Sequence, residues 1–241
     1  MRTAYVNTIE SFGNVDGPGI RFVLFLQGCP LRCKYCHNRD SWAVHTGREM
    51  SVEQVMKEVL KYREFFDASG GGITVSGGEP LLQIPFIIEL FKACKQQGIH
   101  TNIDTSGFLK LTEKNKILLD ELMVYTDMMM LDIKLMDEEN HQALIGVSNE
   151  LILDFGRYVA SKGMTLWIRR VLVPGLTDSE EDLQATAAYI KSLGSVKRID
   201  VLPYHPMGEP KWAELGYEYP LKGQRTPTKE EIAKAEAILK L

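Results

Sequence analysis

Cysteine is scarce in this chain, with four in 241 residues, and that count argues against a fold stapled by disulfides. A chain of this length can bury its own apolar core without such help. No apolar run approaches the ~20 residues that a membrane-spanning helix needs. The opening residues, MRTAYVNTIESFG, hold no apolar core of the kind a secretory leader carries. Positive charge is not in excess either, since 28 Lys and Arg stand against 32 Asp and Glu for a formal charge of −4. Such a mildly acidic chain is a poor general binder of nucleic acid or anionic membrane. There are no repeats, no low-complexity segment and no obvious linker. The expectation is a single domain over residues 1–241, cytoplasmic, with reduced thiols and with no nucleic acid or membrane among its partners.

Three of the four cysteines nevertheless fall within the eight residues CPLRCKYC, as Cys29, Cys33 and Cys36, and His37 follows directly. In a reducing compartment such clustering points to metal binding or catalysis. Soft thiolates select iron–sulfur clusters or zinc. Three thiolates from one short loop can hold three corners of a cubane, leaving one iron open for a substrate, as catalytic metal sites leave a position for theirs. Three other readings of the spacing stay open. One is zinc with His37 as fourth ligand, though adjacent Cys36 and His37 reach one ion awkwardly. Another is a redox pair of Cys33 and Cys36, and the last is three unrelated small apolar residues. Cys94, with Leu90 and Phe91 on an apolar helix, reads as core packing.

Around this loop the hydrophobic pattern alternates between strands and helices. β-Branched, apolar runs occur at 20–27, 73–75, 101–103, 128–133, 165–173 and 198–202, with a short N-terminal segment, 3–9, expected to pair at an edge. Helical spacing follows Ser51 and Gln54, which form a capping box, and recurs at 85–97, 113–124, 151–161, 180–193 and from Thr228 to 239. Alternation of this kind implies a parallel sheet with right-handed crossovers. A closed eight-unit barrel takes ~250 residues. Six units fit an α/β fold of incomplete (β/α)6 TIM-like barrel type, with a core of about 18–205 and a C-terminal loop and helix at 206–241. A doubly wound sheet is the competitor.

Ligands of parallel α/β folds bind at the carboxyl ends of the strands. Here those ends carry, in order, the cysteine loop; SGGEP with Gly77, Gly78 and Glu79; DTSG with Asp104 and Thr105; LDIK with Asp132, Ile133 and Lys134; Arg169 ahead of VPG; and LPYH with His205. Any one of these is an ordinary polar turn. Together, charged groups inside or just after apolar strands carry a cost of burial that calls for a use. Alternation along the fifth strand sends Arg169 into the mouth and Arg170 the other way, toward a surface or loop partner.

The cysteine motif, with aromatic Tyr35 before its last cysteine, resembles that of the radical S-adenosylmethionine superfamily. More narrowly, VDGPGIRFVLFLQGCPLRCKYCHN, VSGGEP, DTSG, LDIK, WIR and LPYH, in that order over about 12–212, resemble the activating enzymes of pyruvate formate-lyase. The resemblance implies a six-unit incomplete barrel and a [4Fe–4S] cluster on Cys29, Cys33 and Cys36. It implies that S-adenosylmethionine chelates the open iron and is cleaved reductively. The 5′-deoxyadenosyl radical then abstracts hydrogen from a glycine of the partner protein, leaving a glycyl radical. By the same resemblance Tyr35, Cys36, His37 and His205 lie against the nucleoside. Gly77, Gly78 and Glu79 meet the methionine amino group, and Ile133, Lys134 and Arg169 complete the cofactor site. Asp104, Thr105, Met130 and Asp132 match positions that hold a monovalent cation, Na+ or K+, and Asp16 lies near the partner's glycine loop. Met128 and Met129 read as plain core. The expected partners are pyruvate formate-lyase and a flavodoxin-type electron donor, and the expected state is a monomer.

Two alternatives remain. The first is an activase of another glycyl-radical enzyme, but several of these carry extra cysteines in an inserted segment, whereas Cys94 is the only one beyond the loop here. The second belongs to a different class, a zinc or redox binding module without catalysis, which would leave Glu79, Asp104, Asp132 and Lys134 unused.

Overall fold

The computed structural model describes residues 2–240. Its strands are β1 (Thr3–Gly13), β2 (Arg21–Leu26), β3 (Arg48–Ser51), β4 (Gly72–Gly77), β5 (His100–Thr105), β6 (Met128–Asp132), β7 (Leu166–Leu172) and β8 (Val196–Pro203). Its helices are α1 (Val52–Val59), α2 (Arg63–Ser69), α3 (Ile84–Gln96), α4 (Glu113–Val124), α5 (Glu138–Ile145), α6 (Glu150–Ser161), α7 (Glu180–Leu193), α8 (Glu209–Glu214) and α9 (Lys229–Ile238). All eight strands join one sheet in the order β3-β1-β2-β4-β5-β6-β7-β8. From β2 to β8 every pairing is parallel, which gives the six expected units. The sheet is open, with β3 and β8 at its edges. The N-terminal segment does pair at an edge, but as an eleven-residue strand antiparallel to both β2 and β3.

Local chemistry explains most of these elements. Ser51 accepts from the Gln54 amide while the Gln54 side chain accepts from the Ser51 amide, so α1 begins with the capping box read from the sequence. Thr228 and Glu231 start α9 in the same way. Thr112 and Ser179 cap α4 and α7 through one side-chain bond each. Helix α3 buries Ile84, Ile87, Leu90, Phe91 and Cys94 against the sheet, at the three- and four-residue spacing of a core-facing stripe. Truncating one such residue to alanine costs roughly 2–5 kcal/mol. Cys94 lies in this core with its sulfur 3.5 Å from that of Met56, and Met128 and Met129 are buried as expected.

A second, smaller apolar cluster sits over the mouth. Leu31, Cys33, Tyr35 and Trp42 pack there against Leu144 and Ile145 of α5, Tyr204, Trp212 of α8 and Tyr219. The main chain ties the same parts together. The Arg32 amide donates to the Ile145 carbonyl (2.8 Å) and the Lys34 amide to that of Leu144 (3.0 Å). The cysteine loop is therefore fixed between an unforeseen helix, α5, and the C-terminal segment. One expectation is corrected. Arg170 does point away from the mouth, but not toward the surface. It is fully buried behind β7, donating to Asp182 (2.6 Å), to the Thr186 hydroxyl (3.0 Å) and to the Thr177 carbonyl (2.7 Å). A buried guanidinium needs such partners.

Candidate active site

The strand ends converge on one cavity of about 620 Å³. Cys29, Cys33 and Cys36 open into it together with Ser76, Gly77, Gly78, Asp104, Thr105, Asp132, Lys134, Arg169 and His205. The register explains the convergence. Asp104 pairs with Met130 and Asp132 with Arg169, so alternate residues of neighbouring strands stand on the same inner face. Val15, Asp16, Tyr35 and His37 complete the wall on the loop side.

Charge in this wall is paired. Asp104 Oδ2 accepts from Arg169 Nη1 and from the Ser76 hydroxyl, both at 2.9 Å. Asp104 beside it raises the pKa of Arg169 further, against the effect of burial. Lys134 Nζ lies 3.0 Å from Asp132 Oδ2 and 5.7 Å from the Tyr35 ring centre. Burial works against its charge, yet Asp132 beside it raises its pKa well above the ordinary value. His37 Nε2 donates to the His205 carbonyl (3.0 Å), and the two imidazoles stack with centres 4.4 Å apart. Burial lowers the pKa of His37, so its ring is neutral at pH 7.

Three predicted residues, Ile133, Glu79 and Met130, do not line the cavity. Ile133 is buried, its amide bonded to the Arg169 carbonyl (3.0 Å). Glu79 is completely buried and does not line the cavity. Its Oε1 accepts from the Leu81 amide (3.0 Å) and the Thr105 hydroxyl (2.5 Å), and its Oε2 from the amide (3.0 Å) and hydroxyl of Ser106. All four acceptor positions of the carboxylate serve the protein, locking the turn after β4 to the end of β5. Met130 is also fully buried, its sulfur 3.0 Å from Asn102 Nδ2.

Around the predicted Asp16 and the cysteine loop, several contributors carry no signal in the sequence. Asp16 is held from inside the barrel, its carbonyl accepting from the Thr74 hydroxyl (2.6 Å) and Asn102 Nδ2 (3.0 Å). Arg21, fully buried, donates through Nε to the same Thr74 oxygen (2.9 Å) and through Nη1 to the Pro18 carbonyl (3.3 Å). Gly17, at φ +133°, makes room for this bundle, since a Cβ there would meet Asn102 at 3.1 Å. Burial first and then Asp104 raise the pKa of Asp16. Around the cysteine loop, Trp42 Nε1 lies 3.3 Å from Cys36 Sγ, and Trp212 Nε1 donates to the Cys36 carbonyl at 2.8 Å.

Burial pushes the three loop thiols up, Cys33 to about 12. Thiolates here need positive charge against them, which bound iron supplies. Among the described residues no three His, Cys, Asp or Glu side chains converge on one ion. A single zinc requires that convergence, whereas in a cubane each thiolate takes its own iron. Three cysteines bordering one cavity thus fit a cluster in which each thiolate takes its own iron.

Comparison with known proteins agrees with this geometry. Residues 23–187 match the model of the radical SAM superfamily. Pyruvate formate-lyase-activating enzyme of Listeria monocytogenes is 51% identical over 235 residues, covering 97% of this chain and 95% of the relative. Pyruvate formate-lyase 1-activating enzyme of Escherichia coli K12 is 48% identical over 234 residues, covering 97% and 94%. Among solved structures, a domain of pyruvate-formate lyase-activating enzyme from Bacteroides vulgatus superposes with a TM-score of 0.58 at 34% identity, covering 70% of this chain and 92% of that one. A radical SAM methyltransferase from Sphaerobacter thermophilus, at 17% identity, shares the fold with a TM-score of 0.65 over 91% of this chain and 63% of its own. Three thiols at the mouth of an open six-unit barrel, with near full-length identity of about half, lead to one assignment: this chain belongs to the radical S-adenosylmethionine superfamily and, within it, to the family of pyruvate formate-lyase activating enzymes.

Proposed function

We propose that this chain activates pyruvate formate-lyase by converting one of its glycines into a glycyl radical. The observation that carries the reading is the single cavity shared by the three cysteines and the polar ends of all six parallel strands. Cys29, Cys33 and Cys36 would hold a [4Fe–4S] cluster, and its chemistry would be one-electron reductive cleavage of the sulfur–C5′ bond of S-adenosylmethionine, giving methionine and the group that takes a hydrogen atom from the glycine α-carbon.

The chain's own residues bind and shield. Lys134, held by Asp132, offers its ammonium to the carboxylate of S-adenosylmethionine. Gly77 and Gly78 bring main chain to the methionine end, while Tyr35, Cys36, His37 and His205 flank the nucleoside. Asp104, Thr105, Met130 and Asp132 hold a Na+ or K+ ion, a hard cation suited to oxygen donors. Arg169 keeps Asp104 in place. Glu79 acts through the turn it locks rather than by touching the cofactor. Asp16 meets the partner's glycine loop. No general base is required, because hydrogen leaves as an atom, and the polar residues position and exclude water.

One domain, 1–241, carries all of this, with a barrel core of about 18–205 and a C-terminal loop and helix at 206–241. The chain acts as a monomer in the cytoplasm and takes its electron from a flavodoxin-type donor. Among the described residues no helix is long and apolar enough to cross a membrane. The test is anaerobic reconstitution with iron and sulfide, reduction, and addition of S-adenosylmethionine. 5′-Deoxyadenosine should form and should vanish in Cys33→Ala. Stoichiometric zinc, no cluster spectrum and no product would overturn the reading in favour of a binding module.

A further inference from the structure

Cys36 differs from the other two loop cysteines in having one indole on its sulfur and another on its carbonyl oxygen. Trp42 Nε1–H points at the thiol sulfur (3.3 Å) and Trp212 Nε1–H at the carbonyl oxygen (2.8 Å). The two rings meet edge to face, 5.3 Å apart at 86°, and both are buried. Charge is gathered on them. The guanidinium of Arg39 lies 4.1 Å from the Trp42 ring centre and 5.6 Å from that of Trp212, and that of Arg32 lies 4.8 Å from Trp42. Cations stacked on an indole draw density from the ring and leave its N–H a better donor.

Packing alone does not call for an N–H aimed at sulfur. We propose that Trp42, through its indole N–H on Cys36 and with Arg39 and Arg32 stacked upon it, sets the reduction potential of the cluster. A hydrogen bond to a cluster thiolate favours the reduced form, which carries one more negative charge. Trp42 is thus a tuning residue that makes the cluster easier to reduce by its donor. Trp212 anchors the loop backbone and tunes little.

The inference rests on the cluster reading above, so cluster uptake by the unmodified chain is measured first. A chain that takes up no cluster overturns both together. With the cluster in place, midpoint potentials are read by electron paramagnetic resonance during redox titration of the wild type, Trp42→Phe and Trp212→Phe. Trp42→Phe should lower the ratio of reduced to oxidised cluster at fixed solution potential about tenfold, which is 59 mV for one electron. Trp212→Phe should change it much less. Equal midpoints in wild type and Trp42→Phe would overturn the inference, as would equal shifts in the two variants.

Should Trp42→Phe fail to hold a cluster, Trp212→Phe carrying indole-15N tryptophan answers the same question. Its remaining indoles are Trp42 and Trp167, and Trp167 does not line the cavity. Electron–nuclear double resonance of the reduced cluster should then show a 15N coupling from Trp42. Absence of that coupling would overturn the inference.

Discussion

Asp16 is placed where its own charge is unwelcome. Burial and Asp104 raise its pKa above the ordinary 3.8, with only partial relief from Arg169 and Arg21. A carboxyl whose folded pKa is raised contributes stability below its unfolded value and loses it as pH rises through the folded one. Asp16→Asn, neutral at every pH, should therefore leave the cluster-free chain more resistant to denaturant than wild type at pH 7. The gap should close toward pH 4. Identical pH dependence in the two proteins would contradict the placement of this side chain. Thr74 and Asn102 hold the main chain here through the Asp16 carbonyl, which fixes where the carboxyl stands. Gly78 is constrained differently, by space. A Cβ there would sit 2.2 Å from the Gly28 carbonyl and 3.0 Å from the Cys29 Cβ. Gly78→Ala should displace the first cysteine and lower iron per chain after reconstitution severalfold. Normal iron content would contradict it.

Among the elements, those with a full period of apolar residues were legible in the sequence and those without were not. Helices α4 and α7 run over the ranges their patterns predict, and α1 and α9 begin where their capping boxes say. The strand expected at 73–75 is longer, because Gly72 and Gly77 extend it into close pairing with β2. Strand β3, REMS, has no alternation to read and exists because β1 offers it an edge. Helix α8 is too short to show a period, and α2 follows a tight turn at Leu60–Tyr62 that interrupts the pattern. Helix α5, EENHQALI, carries few apolar residues, and its value lies in the carbonyls it offers the cysteine loop. The strand-end residues of the site were legible since motifs mark them. Asn102 and Arg21 were not, as they bond residues far away in the sequence, and Trp42 was not, as nothing in the spacing shows its indole turned onto Cys36.

The same holds for the pairing of β7 with α7. Alternation showed that Arg170 leaves the mouth but not that Asp182, from a helix, meets it. Both side chains are almost wholly buried. Removing one partner from such a pair costs roughly 3–5 kcal/mol. Asp182→Asn should lose about that in denaturant unfolding, and the double replacement Arg170→Met with Asp182→Leu should recover part of it. A single variant within about 0.5 kcal/mol of wild type, the range of surface substitutions, would contradict the pairing.

At the scale of the whole molecule, the open sheet, the glycine-lined turns and the clamped cysteine loop serve one end. They bring soft ligands for iron and paired charges for a zwitterionic cofactor to one wall of one cavity. The open barrel leaves that wall approachable from outside, which a protein substrate requires. The central claim is that a hydrogen atom crosses from a partner glycine to a fragment of S-adenosylmethionine at this mouth. The direct measurement uses pyruvate formate-lyase carrying glycine deuterated at the α-carbon, mixed anaerobically with the reconstituted, reduced chain and S-adenosylmethionine. Deuterium should appear in 5′-deoxyadenosine as a glycyl radical signal grows on the partner. Unlabelled 5′-deoxyadenosine with no radical on pyruvate formate-lyase would contradict the account.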